Sequence, residues 1–338
     1  MKKNYWLIVI FVLLGGATAW YYLGGKKNAS STLGWDRLFK VEEKDIQKIF
    51  IAKRTGETTT IERDGNSWKV NGQWKANKNI VENLLEAVTT LELQSVPPPV
   101  ATDNLVKELA SRGIKVEVYG NRDKLLKAYY IGGVTADARG TYAIMDGSEQ
   151  PMILQIPNMT GQIRTRFDLI GDDWRDRHVF SYKPEEIEAV SVEYPQQRNK
   201  SFKLKRAGQS WELKPFYDNV PPISRPVSNG RIEGFLVGFG GLMSESFENQ
   251  YAKKDSIRQM IPFAVVSVTD VKGQERKSAF YPTYRKDKDT GERRSDVVER
   301  YFADVSNGDW MLTQHRVFEK IFWPYDAFFE EPGKAVKD

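Results

Sequence analysis

Three acidic side chains that lie close together in the sequence are the first candidates for chemistry. Asp172, Asp173 and Asp176 fall within one short stretch, and neighbouring carboxylates can bind a divalent cation or act as general acid and base. Arg175 and Arg177 alternate with them, and mutual ion pairs or capping at the junction between the two halves explain the cluster more simply. A hydrolase that uses these carboxylates is therefore the least favoured functional hypothesis.

The two histidines, His178 and His315, stand far apart and belong to no metal-binding spacing. The chain has no cysteine, which excludes disulfides, thiolate metal sites and cysteine nucleophiles. It also has no P-loop, no G-x-S-x-G and no H-E-x-x-H motif. The sequence thus predicts no catalytic residue, no metal site and no cofactor, and favours a protein that is not an enzyme.

Two groups of aromatic and basic residues are candidate binding surfaces. Trp174, Arg175 and Arg177 lie between the two halves of the chain, where they predict a site for a glycan, peptide or lipid in a cleft. The aromatic carboxyl-terminal segment predicts either core packing or a docking patch for a partner protein. The candidate interface residues are Phe322, Trp323, Tyr325, Phe328 and Phe329.

Most of the chain beyond residue 35 consists of an internal repeat. The repeat indicates which helices and strands must position the candidate residues. The matched pairs are Phe39 with Phe180, Ile46 with Ile187, and Trp68 with Trp211. The first two pairs are 141 positions apart and the third is 143 apart. Three landmarks at nearly one offset indicate two similar modules.

In each copy, strand-like segments precede a helical stretch, a second short helix and further strands. Apolar residues from Ile80 to Leu91 recur at helical spacing, and Asn77 or Asn79 is the expected N-cap. The corresponding long helix of the second copy is predicted from about Ser228 to Phe247. The fold class is therefore α+β, with two homologous modules that each combine a mostly antiparallel sheet with one long and one short helix.

Several local features refine this picture. Trp68 and Trp211 are each expected to anchor the core of their module, because a buried indole supplies a large apolar area. Four prolines between Pro215 and Pro226 predict an irregular loop. A short helix is predicted over Gly161–Ile170, and glycines at 230, 234 and 238 weaken the long helix of the second copy.

An uncharged stretch of 19 residues, Tyr5 to Leu23, lies between two pairs of lysines. A helix of about 20 apolar residues matches the hydrocarbon core of a bilayer, so the stretch predicts a single transmembrane anchor with the rest of the chain outside the cytoplasm. The alternative is a signal peptide cleaved at Ala17-Thr18-Ala19.

The predicted organisation follows from these segments. It consists of an anchor with basic flanks at 1–27, a linker at 28–34, a first module at 35–157, a junction at 158–177, a second module at 178–329 and a disordered tail at 330–338. The anchor region holds four lysines and no acid, so the other residues are almost balanced within the net charge of +5. This distribution argues against a nucleic-acid partner.

The repeated landmarks also resemble a known family. In the first copy they are Phe39, Ile46-x-x-Ile49 and Arg63-x-Gly65-x-x-Trp68. In the second copy they are Phe180, Ile187-x-x-Val190 and Arg206-x-Gly208-x-x-Trp211. Over roughly residues 35–325 this pattern resembles two tandem copies of the bacterial domain of unknown function numbered 4340. The resemblance implies a membrane-anchored envelope protein that accompanies ABC-type export or gliding-motility-like machinery, and it supplies no catalytic residue.

The leading functional prediction is a non-enzymatic scaffold or accessory subunit, held by one span in the bacterial inner membrane with its bulk in the periplasm. It would bind other envelope or transporter proteins. The alternative is a protein that binds a glycan, peptide or lipid between its two modules.

Overall fold

The computed structural model describes residues 38–159, 162–284, 290 and 297–330, which form two compact units. Unit 1 ends at Asp176 and unit 2 begins at Arg177. The predicted membrane span, the linker and most of the predicted tail lie outside the described residues. Within the described ranges, no helix has the length and apolar character needed to cross a membrane.

Unit 1 is built on one nine-stranded sheet in which every pairing is antiparallel. Its strands are β1 (Lys48–Ala52), β2 (Thr58–Asp64), β3 (Ser67–Val70), β4 (Trp74–Lys75), β5 (Glu92–Ser95), β6 (Ile114–Tyr119), β7 (Leu125–Val134), β8 (Thr141–Met145) and β9 (Met152–Gln155). Their order in space is β4-β3-β2-β1-β6-β7-β8-β9-β5. Ile49 and Ile51 are buried while their neighbours are not, as the period of a half-buried strand requires.

Helix α1 (Lys78–Thr90) covers one face of this sheet, and helix α2 (Thr102–Arg112) contacts β7 and β8. The side chain of Asn77 accepts hydrogen bonds from the amides of Asn79 (3.1 Å) and Ile80 (3.3 Å), so Asn77 is the N-cap of α1. Tyr129 of β7 belongs to the core that α1 completes. The next residue, Tyr130, lines a cavity beside α2, because successive side chains of a strand point to opposite faces.

Unit 2 contains an eight-stranded antiparallel sheet and a separate two-stranded pairing. The strands are β10 (His178–Phe180), β11 (Ile187–Glu193), β12 (Phe202–Ala207), β13 (Ser210–Pro215), β14 (Leu242–Met243), β15 (Ser246–Phe247), β16 (Ala264–Asp270), β17 (Glu275–Thr283), β18 (Arg300–Val305) and β19 (Trp310–Gln314). The large sheet has the order β13-β12-β11-β16-β17-β18-β19-β15, and β10 pairs with β14. Apart from β4, this order matches that of unit 1 strand for strand.

The helices of unit 2 are shorter than predicted. They are α3 (Asn229–Val237), α4 (Lys254–Arg258) and α5 (His315–Phe318). The prediction of one helix from Ser228 to Phe247 is wrong, because α3 ends at Val237 and two short strands follow. Three of the next four residues are glycines. The C-cap Gly238 still has right-handed helical φ and ψ, and the turn that follows it ends at Gly241, whose φ is +72°.

Three other local predictions have mixed outcomes. Residues 216–226 contain neither helix nor strand, which confirms the predicted proline-rich loop. The helix predicted over Gly161–Ile170 is, in its described part, only a 3-10 turn at Arg164–Arg166. Trp68 and Trp211 pack half-buried against the cores and do not lie at their centres. In unit 1, Trp174 is the fully buried tryptophan of the core.

The core of unit 2 is dense in aromatic rings. Phe202 of β12 packs edge-on against Phe235 of α3 at 5.4 Å and against Phe328 at 4.7 Å between ring centroids. Phe328 also contacts Phe235 at 5.1 Å, so the three rings form a closed cluster.

Removal of the Phe328 ring is expected to destabilise unit 2 strongly. We predict that Phe328→Ala lowers the free energy of unfolding by about 3–5 kcal/mol, because it deletes a fully buried ring and leaves a cavity. Denaturant unfolding measures the change, with Met260→Ala, whose side chain is 63% exposed, as the matched control. A loss below about 1 kcal/mol for Phe328→Ala would contradict this packing.

Candidate functional site

Each unit carries the same arginine–tryptophan hairpin near one edge of its sheet. Arg63 and Trp68 face each other across β2 and β3, and Arg206 and Trp211 do so across β12 and β13. The guanidinium carbon lies 4.5 Å from the indole centroid in unit 1 and 4.6 Å in unit 2. The intervening turns contain Gly65 and Gly208 at φ +60° and +65°.

The two arginines also bind the segment that leads into the neighbouring strand of the sheet, β1 in unit 1 and β11 in unit 2. Arg63 Nε donates to the carbonyl of Ile46 at 3.1 Å, and Arg206 Nε donates to the carbonyl of Ile187 at the same distance. Arg206 Nη2 reaches the carbonyl of Pro184 at 2.9 Å, at the start of a 3-10 turn. The shared landmark is therefore a structural clamp, stabilised by charge-assisted hydrogen bonds and cation–π contact.

The edges beside these hairpins differ between the units. In unit 1, β4 pairs with β3, and the amide of Ala76 donates to the carbonyl of Trp68 at 2.8 Å. In unit 2, β13 is the last strand of its sheet, and no other strand of the described chain pairs with its outer side. The loop that follows β13 is rich in proline, which has no amide hydrogen to donate to a ladder.

Backbone groups of β13 point outward at alternate positions. In an antiparallel pair, hydrogen bonds to one neighbour use every second residue, and the others face the opposite side. Trp68 follows this rule in unit 1, because its carbonyl accepts from the segment after β4. The equivalent positions of unit 2, Trp211 and Leu213, direct their amide and carbonyl groups to the open edge of β13.

A surface groove of about 440 Å³ adjoins this edge. Its sheet side is formed by Arg206 and Trp211, and its helix side by Glu233, Leu236 and Val237 of α3. The 3-10 turn before β11 adds Pro184 and Glu185. Val237 is 63% exposed although it is aliphatic. The groove thus offers an apolar floor with charged residues around it, which suits side chains of a bound polypeptide.

The opposite face of the last two strands is basic. Lys203, Lys205 and Lys214 are exposed there, and Glu212 is the one acidic side chain of β12 and β13. Glu212 and Lys214 form an ion pair at 2.6 Å. The face keeps a net positive charge, which attracts acidic groups over distances up to about a Debye length, ~8–10 Å.

The predicted ligand residues at the junction have mainly structural surroundings. Trp174 is fully buried in the core of unit 1, and Arg175 stacks on Trp74 at 3.7 Å from the ring centroid. In unit 2, Arg177 Nη1 donates to the carbonyl of Glu245 at 2.7 Å. A ligand at these three positions stays a prediction that the structure does not test.

The predicted aromatic interface is divided between core and surface. Tyr325, Phe328 and Phe329 are buried in unit 2, whereas Phe322 and Trp323 are half-buried and pack against its core. Partner binding through Phe322 and Trp323 stays a prediction. The β13 edge was not among the predicted sites, although the prolines after it were the available signal.

The acidic cluster is tied to basic partners. Asp172 pairs with Arg175 at 2.8 Å, and Asp176 pairs with Lys75 at 2.9 Å. Within the residues that the structure describes, no group of three or more metal-ligating side chains comes together. The Asp172–Arg175 contact agrees with the predicted mutual ion pairs, and the hydrolase hypothesis stays a prediction.

Another surface cavity, of about 470 Å³, lies elsewhere in unit 2 and is lined in part by Arg300 and Gln314. Arg300 binds Glu245 through two hydrogen bonds of 2.7 and 3.1 Å, and Gln314 adds a third at 3.2 Å. The Arg300 hydrogen bond is the main reason that the pKa of Glu245 lies below its usual value. The carboxylate is already occupied by these partners, so the β13 edge is the stronger candidate site.

Comparison with known proteins gives one finding. The family model described as "Domain of unknown function (DUF4340)" matches residues 68–258, which is more than half of the chain. No curated protein and no solved structure matches.

The arginine clamp can be tested directly. We predict that Arg206→Gln lowers the free energy of unfolding by about 1–3 kcal/mol, because the partly buried carbonyl groups of Pro184 and Ile187 lose their donor and Trp211 loses its cation. Arg63→Gln is expected to behave alike in unit 1. Thermal or denaturant unfolding measures both, and Lys205→Gln on the exposed face of β12 is the control. A neutral Arg206→Gln would show that the clamp does not stabilise the hairpin.

Proposed function

The chain belongs to the family described as "Domain of unknown function (DUF4340)", and we propose that it is a non-enzymatic, membrane-anchored scaffold or accessory subunit that binds other envelope proteins. The observation that carries this proposal is the open edge of β13 beside a groove with an apolar floor. Such an edge presents a row of backbone donors and acceptors that another polypeptide can use.

The difference between the two units favours a different role for each of them. We propose that they arose as two copies of one module, because their sheets share strand order and the same arginine–tryptophan hairpin. In the first copy the edge is closed by β4, whereas in the second it is open. Unit 1 then serves as the spacer nearer to the anchor in sequence, and unit 2 carries the partner-binding surface.

The proposed location rests on the sequence. Tyr5 to Leu23 has the length and composition of a membrane span, and lysines flank it on both sides. We propose a single-pass protein of the bacterial inner membrane with both units in the periplasm. Its partners in this proposal are envelope proteins, including components of ABC-type or gliding-motility-like machinery.

Site-specific crosslinking in intact cells tests the proposed function. We expect a photoreactive residue at Val237 of the full-length chain to give a discrete adduct with another envelope protein, identified by mass spectrometry. The same photoreactive residue at Met260 is the matched control, since both side chains are 63% exposed in unit 2. No adduct at either position, together with an unaltered mass of the native particle after mild solubilisation, would contradict a scaffold role.

A further inference from the structure

We infer that the edge of β13 binds an extended segment of a partner protein as an added antiparallel strand, and that this segment alternates apolar and acidic residues. The inference rests on the proposed function and adds the mode of binding and the chemistry of the partner.

Unit 1 shows what an occupied edge of this kind looks like. There β4 lies along β3, Val70 faces Trp74, and the amide of Ala76 donates to the carbonyl of Trp68. Leu213 of β13 corresponds to Val70, and Trp211 corresponds to Trp68. A strand from another protein can therefore make in unit 2 the hydrogen bonds that β4 makes in unit 1.

The groove defines which side chains suit the inward positions of the added strand. In unit 1, Trp74 of β4 packs half-buried against the core, on the same side as Trp68. In unit 2 the same side holds Trp211, with Leu236 and Val237 of α3 forming the groove beside it. Burial of an aliphatic residue there removes apolar surface from water, which favours binding.

Charge defines the outward positions and disfavours a second copy of this chain as the occupant. An added strand has its outward side chains on the face that carries Lys203, Lys205 and Lys214. Glu212 lies on the same face, where it pairs with Lys214, so the face keeps a net positive charge that acidic residues fit. Pairing of β13 with its own copy would bring two positive faces side by side. Repulsion between the two positive faces disfavours that pairing. An acidic partner strand meets no such repulsion and is therefore favoured.

Peptide binding to the full-length chain in detergent tests the inference. The probe is a fluorescently labelled octapeptide of alternating valine and glutamate, and the comparison peptide alternates valine and lysine. We expect the glutamate peptide to bind at least about tenfold more tightly, as measured by fluorescence anisotropy. Equal affinity for the two peptides, or binding of neither, would overturn the inference.

Three variants locate the bound peptide. Val237→Glu is expected to weaken binding of the glutamate peptide by at least about tenfold, whereas the equally exposed control Met260→Glu leaves it unchanged. The double variant Lys203→Glu with Lys205→Glu is expected to reverse the preference toward the lysine peptide. Both lysine side chains are exposed, so we expect the double variant to keep the fold. Equal effects of Val237→Glu and Met260→Glu would place binding elsewhere.

Further outcomes separate this inference from the proposed function. A concentration-dependent dimer that Val237→Glu abolishes would identify a second copy as the occupant and overturn the inference. Capture of an envelope protein from the Val237 position in cells, combined with no peptide binding, would leave the scaffold role intact and refute strand addition. Peptide binding without any partner captured in cells would instead count against the scaffold role.

Discussion

The structure depends on one constraint, the need of every strand at a sheet edge to satisfy its backbone amide and carbonyl groups. Unit 1 meets this need with β4, a strand of two residues in which Trp74 pairs with Val70. The amide of Ala76, just after β4, donates to the carbonyl of Trp68. Unit 2 has a proline-rich loop at the corresponding place, and its last strand faces outward. A small local difference thus separates a unit whose edge is covered by β4 from one whose last strand has no neighbouring strand among the described residues.

The arginine–tryptophan hairpin explains why the edge keeps its shape in both units. Arg206 holds Trp211 by cation–π contact and binds the carbonyls of Pro184 and Ile187, so the last strand is clamped to the chain that enters the sheet. A fixed edge loses little further entropy when a partner binds, which favours binding. Arg206 and Trp211 thus both support the edge and form the sheet side of the groove beside it.

Local sequence patterns predicted much of the fold but little of the candidate site. Alternation around Ile49 and helical spacing after Asn77 gave strands and a capped helix, because both depend on near neighbours in the chain. The β4 strand, the burial of Trp174 and the early end of α3 depend on distant residues or on glycine geometry, which periodicity does not register. The open edge of β13 is also nonlocal, since it depends on which segment returns to pair with it.

Amide hydrogen exchange of the free full-length chain tests the central claim most directly. Leu213 and Val70 hold equivalent positions, but only Val70 has a neighbouring strand on the outer side among the described residues. An open edge predicts that the Leu213 amide exchanges at least about tenfold faster than that of Val70. Equal protection of the two amides would show that β13 already has a partner strand and would contradict the account.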